Sequence, residues 1–103
     1  MKLETRQKIK TAISEAIPEK QVYTIFTSAT GFDDTEVLRV VTPAWKNLGK
    51  AERIAKIQSA VREKLTSSEL NRIFRFSVLT PNEWETVRAR MVGEKATVLG
   101  FRR

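Results

Sequence analysis

The chain predicts an α+β domain, a three-stranded mixed sheet packed by helices in the order α-β-β-α-(α)-β-α. Three observations carry this prediction. Apolar residues recur at helical spacing in two separate stretches, 9–17 and 54–65. Three other stretches, beginning at Gln21, Glu36 and Arg72, are rich in β-branched and aromatic residues, and turn or cap signals separate them all. A chain of 103 residues that is 41% apolar and 30% charged has the size and composition of one domain, residues 1–103, with one modest core.

The first helix spans residues 3–17, because Ile9, Ala12, Ile13, Ala16 and Ile17 fall on one side and Pro18 ends it. A strand over 21–28 follows, then a turn over 30–35 built on Gly31, Asp33 and Asp34, then a second strand over 36–41, so the two strands form an antiparallel hairpin. Pro43 and Gly49 mark residues 42–49 as an exposed loop. The long helix over 50–65 is defined by Ile54, Ile57, Val61 and Leu65, with Ala51 at the edge of its buried face. Residues 66–70 read as a break and a short turn capped by Ser67 or Ser68. In a third strand over 72–79, Phe74, Phe76 and Val78 share one face and read as core; a crossover through the long helix makes this strand parallel to the second. Thr80, Pro81 and Glu83 form a capping box that starts a helix running to about Met91, with Trp84 and Val87 inward. Gly93 breaks this helix, and residues 92–103 read either as a short edge strand at 96–99 or as a mobile basic tail.

Composition narrows the function. The chain has no cysteine and no histidine, which removes disulfides, thiolate metal sites and the side chain best suited to proton transfer near neutral pH. Serine has no histidine base, and no nucleophile elbow, phosphate loop or dinucleotide fingerprint occurs. The expectation is a protein that is not an enzyme and needs no cofactor or metal. No apolar run spans a bilayer and no secretion signal is present at the amino terminus, so no membrane contact and a cytoplasmic location are expected.

The net charge of +7 is uneven. Residues 1–36 hold five basic and six acidic side chains, whereas residues 37–80 hold nine and three. On a helical wheel Arg53, Lys56 and Lys64 share a flank of the long helix; Lys46 and Lys50 extend that flank, and Arg72 and Arg75 join it from the third strand. Such a row suits a phosphate backbone, while the plainer reading is a solvated helix face. Trp45, in a proline-led loop, either caps the core edge or anchors a partner. Lys95, Arg102 and Arg103 either clamp an anion or belong to a mobile end.

Two segments resemble the BolA-like family, whose domains share the class II KH-like arrangement. One is Val40 to Trp45 followed by Gly49 to Arg53; the other is Ser77 to Trp84, similar to a third strand running into a Thr-Pro-Glu-Glu-Trp-like cap. The resemblance implies the fold, and nucleic-acid binding or transcriptional regulation. The family carries a histidine after Glu-Arg in the long helix, associated with iron–sulfur ligation shared with monothiol glutaredoxins; Ile54 stands there, which puts that role in doubt. No Gly-x-x-Gly loop accompanies the pattern, since Lys50, Ala51 and Glu52 follow Gly49. The expectation is a binding module for nucleic acid, with a protein-interaction adaptor for an acidic partner, or a homodimer, as the alternative.

Overall fold

In the computed structural model, which describes residues 1–91 and 96–103, the order of elements is α1 (Leu3–Ala16), β1 (Tyr23–Ala29), β2 (Glu36–Val41), α2 (Lys50–Lys64), α3 (Ser67–Leu70), β3 (Ile73–Leu79), α4 (Pro81–Arg90) and β4 (Thr97–Arg102). The strands form one mixed sheet in the order β3-β2-β1-β4. β1 pairs antiparallel with β2 and with β4, and β2 pairs parallel with β3.

The sheet therefore has four strands, not three. The last residues join it by pairing with β1 from Thr97 to Arg102. Leu99 packs against the core, and the Arg102 guanidinium donates to a ring of carbonyls where α1 ends: Ser14 O at 2.8 Å, Pro18 O at 3.0 Å and Glu19 O at 3.3 Å among them. α1 has no basic residue in its own last turn, so Arg102 supplies from β4 the cation that the unpaired carbonyls of a helix end favour. The same guanidinium lies 5.0 Å from the Tyr23 ring centroid. Of the residues expected in the tail, Gly93 and Lys95 lie outside the described residues.

Ile9, Ile13, Ile57 and Val61 from α1 and α2 bury against Ile25, Leu38, Val40 and Val78 on one sheet face. Alternation along each strand places Phe26 and Arg39 on the opposite face, under α4. There Trp84 stacks on Phe26 with centroids 4.9 Å apart, and Arg39 sits 5.4 Å from the Trp84 ring while donating to Ser77 Oγ and Met91 Sδ. Trp84 thus packs inward from its helix, but onto the second face of the sheet.

Three local expectations change. The turn before α3 is capped by Thr66, whose hydroxyl accepts from Glu69 N while Glu69 accepts from Thr66 N, rather than by Ser67 or Ser68. Ala51 is exposed. Phe74 is 65% exposed and not in the core, because Glu36 pairs with Ile73 and Val37 with Arg75, leaving Phe74 as an extra residue in a bulge. That slip puts Ile73, Phe76 and Val78 on the face covered by α1 and α2 and throws Phe74 out at the sheet edge. Among the described residues no helix is long and apolar enough to cross a membrane.

Candidate nucleic-acid interface

The cations expected to share one face of α2 are separated by the fold. Arg53 is only 5% exposed: its Nε donates to Trp45 O at 3.0 Å, its Nη1 to Glu83 Oε1 at 2.6 Å and its Nη2 to Lys46 O at 3.3 Å. Its chemistry is internal, tying the β2–α2 loop to the capping box of α4. Glu83 in turn is held below the usual carboxylate range, first by the Thr80 amide and then by Arg53. Lys64 pairs with Glu15 on α1 at 3.1 Å, and Arg72 lies 3.8 Å from Asp34 in the hairpin turn. Lys56 sits 5.8 Å from the ring of Trp45, which is half-buried against the core edge. Lys46, in the loop before α2, and Lys50, at its first residue, are exposed.

Arg75 is placed differently. It lines an open groove of about 580 Å³ between α2, α3 and the outer edge of β3. The apolar floor is made by Ile54, Leu70, Ile73 and Phe76. The rim carries Gln58 and Arg62 from α2, Asn71 after α3, and Phe74 and Arg75 from β3. The helix contributes through its spacing: Ile54, Gln58 and Arg62 repeat every four residues and form one ridge, which begins a turn earlier at Lys50. The strand contributes through its bulge, which turns the Phe74 ring outward. Among the described residues neither Arg62 nor Arg75 is in an ion pair, and both are exposed.

α3, which forms one end of the groove, is anchored from behind. Glu69 accepts from the Thr66 amide, from Thr5 Oγ1 at 2.7 Å and from Lys8 Nζ at 2.9 Å, and these bonds lower its pKa to about 2. Lys8 is raised in return, chiefly by its hydrogen bond to Glu69.

Sequence reasoning found Arg75 and missed Gln58, Arg62, Asn71 and Phe74. The four-residue ridge on the other flank of α2 was a readable signal for Arg62; nothing in the letters marks the bulge that exposes Phe74. An apolar floor with a flat exposed ring has the chemistry to stack an unstacked base, and two guanidinium groups without ion pairs among the described residues have the chemistry to donate to phosphates. Comparison of the chain with protein-family models, with curated proteins and with solved structures gives no match.

Proposed function

We propose that this chain is a non-catalytic, nucleic-acid-binding or transcription-regulatory module that takes single-stranded nucleic acid in the α2–α3–β3 groove. One observation carries the proposal: an exposed aromatic ring and two arginines without ion pairs among the described residues converge on an apolar groove. Bases stack on Phe74 and lie over the floor, Arg62 and Arg75 hold phosphates, and Gln58 and Asn71 present paired donors and acceptors to base edges. Lys50, at the far end of the ridge about 18 Å from Arg62 by helix rise, extends the track. Single strands are favoured over duplexes because a duplex keeps its bases stacked and offers this floor nothing flat to bury. The helix-strand order from α1 to β3, with β2 parallel to β3, supports a BolA-like or class II KH-like kinship, to which β4 is an addition.

The test is fluorescence anisotropy with labelled single-stranded and duplex oligonucleotides over a salt series. Tighter binding of the single strand at about 0.15 M salt is expected, and Arg62→Glu with Arg75→Glu should reduce it at least about tenfold. Arg88→Glu, which lies on α4, should not. Equal loss from Arg88→Glu, or binding that vanishes at physiological salt for all sequences, would reject the proposal.

A further inference from the structure

The opposite edge of the sheet carries a second surface, independent of the groove. β4 ends the sheet, and among the described residues no strand pairs with its outer side. On the α4 face of the sheet, Val98 and Phe101 are exposed, Phe101 by 57%, with the Arg103 guanidinium 5.1 Å from the Phe101 ring. On the other face a ridge of α1 runs along β4. Ser14 receives Arg102, and the Lys10 stem lies on Gly100, where a Cβ would come within 2.9 Å of Lys10 Cε. Arg6 follows one turn back, and its Nε is buried without a hydrogen-bond partner. Among the described residues neither Arg6 nor Lys10 forms an ion pair.

We infer that the outer edge of β4 docks an extended segment of a partner protein in which acidic and apolar residues alternate. A strand laid against an edge sends successive side chains to opposite faces. One set then meets Arg6 and Lys10, and the other covers Val98 and Phe101. The pairing uses residues 100–102, because Leu99 is an extra residue opposite the Ile25–Phe26 step and interrupts regular pairing there. Charge decides against other occupants. A second copy in edge-to-edge pairing brings Arg6, Lys10 and Arg103 against their own kind. A phosphate backbone has no N–H groups with which to satisfy the edge carbonyls.

The probe is a labelled, acetylated peptide of about ten residues alternating glutamate and valine, compared with one of the same composition arranged in two blocks. Anisotropy on the full chain at about 0.15 M salt should show the alternating peptide at least about tenfold tighter. Lys10→Glu and Phe101→Ser should each weaken it, while Arg62→Glu and Arg75→Glu leave it unchanged, which separates this site from the groove. Hydrogen exchange on the unsubstituted chain should slow at residues 100–102 when the alternating peptide is added. Equal affinity for the two peptides, no binding of either, or protection elsewhere would overturn the inference. So would a concentration-dependent doubling of mass that Phe101→Ser abolishes, since the edge would then belong to a second copy.

Discussion

Both outer strands of the sheet present an exposed phenylalanine beside a helix ridge of four-residue period, yet the two edges differ in shape. At β3 the ridge of α2 stands away from the strand, α3 closes one end, and the space between them is a groove with an apolar floor. At β4 the ridge of α1 lies directly on the strand through Lys10 and Ser14, so no groove opens and what remains accessible is backbone edge. A groove accepts flat, isolated rings; a bare edge accepts another chain. The difference follows from where small and large residues fall. Gly100 lets Lys10 settle onto β4, whereas the bulge at Phe74 holds a bulky ring outward at β3.

The largest effect that sharpens this comparison is expected from Arg102→Ala. It removes a charged donor shared among the carbonyls of Ser14, Pro18 and Glu19 and should lower stability by about 2–3 kcal/mol in urea unfolding. Arg102→Lys should recover little of this, because a point ammonium cannot span the same carbonyls. If β4 is held as described, hydrogen exchange in the variant accelerates at residues 97–102 before it does in β3. Uniform acceleration across the sheet would argue that the two edges are not independent.

Next comes Phe74→Ala. The side chain is exposed, so stability should change by no more than about 0.5 kcal/mol, while single-strand affinity falls by about tenfold through loss of stacking. A large loss of stability with unchanged affinity would place Phe74 among structural residues and leave the groove without its ring.

A smaller effect, seen only through pH, tests how the groove end is held. The Glu69 carboxyl is depressed to about 2 in the folded chain against an ordinary 4.5. Its contribution is therefore fully present above the unfolded value and is lost as pH falls from about 4.5 towards 2. Glu69→Gln should be less stable than the parent at neutral pH, and the two should converge as pH falls through that window. A constant difference from pH 7 to 2 would mean that the carboxylate charge does not hold α3 to α1.

Much of this architecture was legible in the letters. The hairpin, the long helix and the Thr80–Glu83 capping box follow from periodicity, turn residues and local hydrogen bonding, all decided within a few residues of chain. β4 was half legible: residues 96–99 have strand character, but its pairing with β1 and the contacts of Arg102 with the end of α1 join residues 70 or more positions apart. The candidate site was less legible still. The wheel that grouped Arg53, Lys56 and Lys64 treats a helix as isolated. In the fold Arg53 turns in to Glu83 and Lys64 across to Glu15, because each finds a carboxylate on a neighbouring element.

By itself the sequence determined the elements from α1 to α4, most of their ends to within about two residues, the lack of histidine and cysteine, and the concentration of positive charge in the central segment. Those properties depend on residue type and short-range spacing. Only the tertiary structure decided which cations are without a carboxylate, and which strand edges without a neighbour, among the described residues, and which phenylalanines are exposed. Those outcomes depend on which distant carboxylates, carbonyls and strands each group meets, and a single slipped register at β3 is enough to turn an expected core ring into a surface one.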